Sequence, residues 1–458
     1  MSKATKFGAL LAGTALTAGL LAGCGNNSDN DANAASSSAA TPAASAPASS
    51  QAAPEASHEN VTISLLTDNT QDFINVAKSL AEAFEAKYPW ITVEHETRPQ
   101  GGEGDNFVKT RLATGDMNDV FIYNSGSLMQ ALNPEENMLD LTNEPFMADV
   151  LDSFKSTVSY NGKVYGVPAG ASLAGGWFYN KKIYAELGLS VPKTWAELMD
   201  NNKKVQAAGK TAIIGTYKDT WTSQLIVLAD YYNVQAGSPT FAADYTGNKA
   251  KYATTPAALR SFEKLQEAGK AYMNKDYLAN NLDAGLKMLA EGQGAHYPML
   301  TFVIPTLLQN NPDQIGDIGF FAQPGDDAND NGLTVWMPGG GYVYKNSKHI
   351  EEAKLLLEFI VSPEGIAAWT AASKPSGPYV VKGATLPDDV PQVVKDMLPY
   401  FDAGKTAPAL EFLSPIKGPS LEQITVEVGS GQREAQSAAE LYDKDVEKQA
   451  LQLGIAGW

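Results

Sequence analysis

Hydrophobic and polar positions pass through three regimes along the chain. Residues 8–23 (GALLAGTALTAGLLAG) are a short run of leucine and small residues behind Lys3 and Lys6. Residues 25–60 then contain no Val, Ile, Leu, Met, Phe, Tyr or Trp. From residue 61 apolar residues return with the periods of regular structure. The run VTISLL at 61–66 has the composition and length of a buried parallel strand. Phe73, Ala77, Leu80, Phe84 and Tyr88 follow at intervals of three or four, which predicts an amphipathic helix stopped by Pro89. Residues 91–95 read as a second strand. This βαβ opening predicts an α/β domain whose ligand loops gather at the carboxyl ends of its strands. Asp68 and Asn69 lie at such an end and are candidate ligand groups, with Asp68 the best bidentate acceptor for hydroxyls; Asp68, Asn69 or Thr70 could equally cap the helix that follows. A second unit follows: residues 107–112 read as helix, Gly115-Asp116 as a turn, and 119–123 as a strand ending in Tyr123 and Asn124. An aromatic and a polar group at that end suit the lining of a cleft.

Composition narrows the picture. A chain of 458 residues suits two or three domains, and 44% apolar residues suffice for their cores. Lys plus Arg is 34 against 52 for Asp plus Glu, and a net charge of -18 repels phosphate backbones, which disfavours nucleic acid. One cysteine excludes an intrachain disulfide framework and a Cys-rich zinc site, and four histidines leave little material for His-based metal or triad chemistry. No cofactor is expected. After residue 24 no stretch reaches the ~18 consecutive apolar residues of a spanning helix.

The basic start and short apolar run of residues 1–23 read as a secretory signal. The tetrapeptide Leu21-Ala22-Gly23-Cys24 resembles the bacterial lipobox, which implies lipidation of Cys24. Stable attachment needs two acyl chains, at ~0.8 kcal/mol per buried CH₂. Residues 24–59, rich in Ala, Ser and Pro, cannot offset their ordering entropy and read as a disordered linker with a reach of about 30 Å.

Beyond residue 160 a family pattern appears. Asn161-Gly162-Lys163-Val164-Tyr165-Gly166-Val167-Pro168, then Tyr179-Asn180-Lys181 and Pro192-Lys193-Thr194-Trp195, resemble in order the bacterial extracellular solute-binding protein family 1, the maltodextrin-binding-like receptors of ABC importers. LATGDMNDVFIYNSG, with Asn118 where Pro is commoner, and PGGGYVYKNSKHIEEAKLLLEFIVSPEGIAAW extend the resemblance from about residue 61 to the carboxyl end.

The resemblance implies an α/β, two-lobed periplasmic-binding-protein (Venus-flytrap) fold with three interlobe crossings. Lobe 1 would hold residues 60–172 and 340–374, and lobe 2 residues 175–337 and 378–458. The crossings would fall near Ala171-Ser172, Pro338-Gly339 and Pro375-Ser376. It further implies a monomeric, non-enzymatic lipoprotein on the outer face of the cell membrane, in a Gram-positive bacterium. Such a protein captures an oligosaccharide and delivers it to two integral-membrane permease subunits driven by a cytoplasmic ATPase. Two other readings stay open: a secreted glycan-active hydrolase, which needs paired carboxylates about 5–10 Å apart, and a surface protein that binds glycans without transport.

Sugars offer hydroxyl rims and apolar faces, so aromatic platforms and fixed polar groups are the candidate contacts. Trp221, before a leucine-rich helix, and Trp336, beside a proposed crossing, fit platforms, with packing the alternative for each. Phe302 stands where the family often has tryptophan and keeps a flat face without the indole donor. Gly340, in Gly339-Gly340-Gly341, suits close approach of backbone to a sugar, or an ordinary tight loop. Trp177, Trp195 and Trp369 read as fold residues. Asp327-x-Asn329-x-Asn331-Gly332 matches half a calcium loop, but Pro338 stands at the position of its bidentate glutamate, so a solvated loop and no metal are expected. Gly101-Gly102-Glu103-Gly104 lacks the Lys-Ser/Thr of a phosphate loop and reads as a turn.

Overall fold

A computed structural model describes residues 59–458. Cys24, the expected leader and nearly all of the expected linker lie outside the described residues. Along the chain, β1 (Val61–Asp68), β2 (Ile91–Arg98), β3 (Val120–Tyr123) and β4 (Gly166–Ala169) enter a first sheet. A second sheet takes β5 (Leu173–Asn180), β6 (Thr211–Ile213), β7 (Gly294–Leu300), β8 (Ile318–Ala322) and β9 (Leu333–Trp336). Then β10 (Gly339–Val343) returns to the first sheet and β11 (Thr406–Pro408) to the second. The first sheet has the order β2-β1-β3-β10-β4, and the second the order β11-β9-β5-β7-β6, with β8 also on β5.

The expected βαβ opening is present. Helix α1 (Gln71–Lys87) buries Val76, Ala77, Leu80 and Phe84 on one stripe, and Thr70 caps it by accepting the Phe73 N–H. Helix α2 (Gly101–Thr114) begins six residues earlier than the apolar spacing suggests. The glycine run expected as a turn is instead its first turn, and Gly115, in the left-handed region at φ 75°, ends it.

Each sheet carries its own core. Ile63, Leu65, Phe84, Phe121, Tyr342 and Leu357 belong to the first. Trp177, Trp195, Phe262 and Tyr442 belong to one cluster on the second sheet, and Phe178, Tyr297 and Val393 to another. Helix α3 (Pro256–Ala271) supplies Phe262 and the buried Lys264 to the second lobe. Helices α4 (Ile350–Val361) and α5 (Pro363–Ala372) follow β10; α4 packs into the first core, and α5 lies along α1.

The chain changes sheets between Ala169 and Leu173 and again between Trp336 and Gly339. The third passage comes later than Pro375-Ser376. Tyr379 bridges Ala171, Val381 bridges Val150, and Val380 and Val381 pack in the first core. Ser172 anchors this stretch, donating both its N–H (2.8 Å) and its hydroxyl (2.7 Å) to the Pro378 carbonyl.

Candidate functional site

Strand direction fixes where a ligand can sit. In the first sheet β1, β2 and β3 are parallel, and β10 is antiparallel to both β3 and β4. The carboxyl ends of β1 to β4 therefore share an edge with the amino end of β10. In the second sheet β6 is parallel to β7, β11 is parallel to β9, and β5 is antiparallel to β7 and β9. Its carboxyl edge accordingly holds the start of β5. Residues 170–172 and 337–338 join these two edges directly, so the two sheets meet through the edges that α/β folds use for ligands.

On the second-lobe edge, Trp221 lies in the short 3-10 turn Thr220–Gln224, and Phe302 in the turn Thr301–Val303 after β7. Both are half-buried, and their ring centroids are 5.8 Å apart. The Phe302 turn is tied to the crossing, because Thr301 Oγ1 accepts the Ala174 N–H at 3.0 Å. Trp336 has a different surrounding. It is 6% exposed, packs with Ala229 and Ala409, and fills the space over Gly175, whose Cβ would stand 2.4 Å from its ring. Its face is covered by its own lobe.

On the first-lobe edge, Asp68 is engaged by Thr70, the cap of α1. Its Oδ1 accepts the Thr70 N–H (2.9 Å) and hydroxyl (2.6 Å), while Asn69 is exposed. Tyr123 is 1% exposed, and its hydroxyl donates to Asp105 at 2.8 Å. Burial and the Asp105 charge hold that phenol far above its ordinary range. The ring is therefore packing material, whereas Asn124 beside it is exposed and uses its carbonyl to accept the Tyr342 hydroxyl. Gly340 is glycine for the same neighbour: a Cβ there would meet the Tyr342 ring at 2.3 Å. The backbone approach expected at Gly340 is made by Tyr342.

Three groups that pattern reading missed also stand at these edges. Trp369 of α5 meets Phe73 of α1 edge-to-face with centroids 6.0 Å apart, and its ring lies 3.3 Å from where a Cβ on Gly170 would stand at the crossing. It is half-buried. Asp72 sits in the first turn of α1; burial pushes its carboxyl up, a hydrogen bond with Ser373 opposes this, and the Asp68 charge adds to it. Gln224, three residues after Trp221, is 6% exposed and its Oε1 has no partner. No spacing rule points to Trp369, because only the packing of α5 on α1 brings it to the crossing.

Two depressions lie elsewhere. One of about 470 Å³, lined by Pro256, Arg260 and Asp326, is on the second lobe, and one of about 380 Å³, lined by Ser64, Asp119 and His349, is at the amino edge of the first sheet. The acidic loop after β8 is internally engaged: Asp326 pairs with Arg260 at 2.9 Å, and Asp327 accepts the Asn329 N–H at 2.9 Å. Among the described residues no group of three His, Cys, Asp or Glu side chains is placed to hold a metal ion.

Comparison with known proteins bears on this arrangement. The family described as bacterial extracellular solute-binding protein matches residues 67–367. A "Multiple sugar-binding protein" of Streptococcus mutans is 25% identical over 345 residues, covering 72% of this chain and 77% of its own. A solved chitin oligosaccharide binding protein superposes with a TM-score of 0.74 at 20% identity, over 86% of this chain and 99% of its own. A solute-binding protein solved in complex with raffinose gives 0.72 at 21% identity, over 86% and 100%. These structural likenesses show a two-lobed α/β fold.

Proposed function

We propose, from the premise that the chain belongs to the bacterial extracellular solute-binding protein family, that it is the sugar receptor of an ABC importer. It captures an oligosaccharide between its lobes and presents the closed form to the membrane permease. The observation that carries this reading is the pair of aromatic contacts on facing edges, Trp221 with Phe302 on one lobe and Trp369 with Phe73 on the other. Flat rings suit the apolar faces of pyranosides, and the carboxylates Asp68 and Asp72 with the free Gln224 carbonyl suit their hydroxyls. The S. mutans relative and the chitin-oligosaccharide and raffinose binders point to the same ligand class by name.

Such a receptor performs no bond chemistry. Its work is a population shift, in which a sugar touching both lobes favours the closed state by its differential contacts. Lipidation at Cys24 and the linker of residues 24–59 belong to the same proposal, because tethering raises the receptor's effective concentration at the permease. The test is a thermal-shift and calorimetric screen of the protein against defined oligosaccharides, with product analysis after incubation. A raised melting temperature with the sugar recovered intact is expected. Cleavage of the sugar, or indifference to the whole panel, refutes the reading.

A further inference from the structure

Arg98 ends β2 on the carboxyl edge of the first sheet, in register with Asp68, and is only 7% exposed. Its Nη1 donates to the Pro99 carbonyl at 3.0 Å, and its guanidinium carbon lies 5.3 Å from the centroid of the Tyr123 ring. Its Nε is buried without a partner. Among the described residues no carboxylate comes within the 4.0 Å of an ion pair with it. Acids on this edge are engaged with neutral donors: Asp68 with Thr70, Asp72 with Ser373, and Asp105 with the Tyr123 hydroxyl. A guanidinium carries five donors, and burying one without a counter-charge is costly.

A second feature converges on the same point. Helix α2 starts directly against the guanidinium, since a Cβ on Gly104 in its first turn would stand 2.6 Å from Arg98 Nη1. No side chain caps this helix, and the space around Gly101 and Gly102 is open. The first amides of a helix have no acceptor within it, and its amino end carries partial positive charge. Here that end is stacked on a buried cation. Glu103 in the same turn is exposed, and among the described residues no carboxylate pairs with the guanidinium, so two like-signed groups held together make a place for an anion from outside.

We propose that Arg98 and the glycine opening of α2 form an anion subsite at the rim of the cleft, taking the carboxylate of an acidic sugar unit. This rests on the sugar-capture reading and names a ligand class for it. The planar fork of a guanidinium matches a carboxylate, and Asp68 and Asp105 on the same edge disfavour a doubly charged phosphate.

The test titrates the full-length chain in detergent with glucuronate-substituted and unsubstituted xylo-oligosaccharides of equal length, and with oligogalacturonides and neutral galacto-oligosaccharides. Inorganic phosphate and sulfate alone form a third arm. At least one acidic sugar is expected to bind about tenfold more tightly than its neutral counterpart, and added salt should narrow the gap. Arg98→Met should remove the preference and leave neutral sugars bound as before. Gly102→Asp, in open space at the helix start, supplies its own carboxylate and should remove the preference with the fold intact. Equal or weaker binding of acidic sugars overturns the subsite while leaving sugar capture standing. Protection by free phosphate or sulfate without any difference between acidic and neutral sugars also overturns it. A panel in which no sugar binds removes both readings.

Discussion

At the scale of single residues, exposure separates platform from packing. Trp221 is half-buried against Phe302, whereas Trp336 is 6% exposed over Gly175. Trp336→Ala should therefore cost about 3–5 kcal/mol of stability, or roughly 2–4 °C of melting temperature for each kcal/mol in a unit of ~150–250 residues. Trp221→Ala should leave the melting temperature nearly unchanged and weaken sugar binding about tenfold, which calorimetry reads directly. The reverse pattern would exchange their roles. His296 makes a second residue-level prediction. Its Nδ1 faces the Ala212 carbonyl at 3.0 Å and must carry the proton, while Nε2 accepts from the Tyr184 hydroxyl at 2.7 Å. Burial pulls this imidazole down to about 4, with the Ala212 hydrogen bond opposing. A folded-state value below the unfolded one means that the unfolded chain binds more protons as pH falls. The neutral ring's contribution is thus complete above about 6.5 and lost between there and about 4. An NMR titration should show this ring unchanged at pH 5.5; a midpoint near 6.5 would contradict it. Sequence marked Trp221 and Trp336 with equal weight, the one before a leucine-rich helix and the other beside a proposed crossing. Only the contact with Gly175, far away in sequence, distinguishes them.

At the scale of elements, the βαβ opening was legible because period and breakers agree: β1, the stripe of α1 and the Pro89 stop all stand where pattern puts them. The start of α2 was misread because glycine is a poor helix former, so propensity favoured a turn. At Gly104 the fold demands glycine, since a Cβ would stand 2.0 Å from the Pro99 carbonyl oxygen. Nothing in local pattern marks Lys264 either, since a lysine on an apolar helix stripe ordinarily snorkels outward. It is instead 1% exposed, and it joins α3 to the segment ahead of Tyr231 by donating to Asp230 at 2.6 Å, and to the loop after β8 by donating to the Pro324 carbonyl at 3.0 Å. Burial pushes the Asp230 carboxyl up, and the Lys264 ammonium pulls it back. Lys264→Met strands that carboxylate and should cost about 3–5 kcal/mol in denaturant unfolding. Adding Asp230→Asn should recover a good part of the loss, because the penalty lies in the uncompensated charge. Equal instability of single and double variants would mean that this pair serves only as volume.

At the scale of the whole molecule, the lobes are joined by short connections and also touch beside them. Gly126, in the turn after β3, adopts φ 71°, and a Cβ there would stand 2.6 Å from the Glu411 carbonyl and 2.8 Å from the Phe412 ring of the other lobe. Ser125 holds the same turn to the crossing through the Pro338 carbonyl at 2.8 Å. These contacts tie the turn after β3 to the other lobe and to the 337–338 crossing. The two lobes were legible from family motifs because those motifs mark strand ends and crossings. The place of Trp369 beside the crossing was not, because it depends on how α5 packs on α1. A ligand closes the lobes only in proportion to how much better it binds the closed form, so each side must contribute. Wild-type protein should show a smaller radius of gyration in solution scattering when the recognised sugar is added. Trp369→Ala removes the proposed first-lobe contact and leaves Trp221 in place. It should weaken binding by about tenfold, and at subsaturating sugar the compaction should shrink in step. At saturation the variant should reach a larger radius than wild type, because one-sided contact leaves open molecules with sugar bound. A variant that closes as fully and at the same sugar concentration as wild type would show that Trp369 belongs to the fold alone.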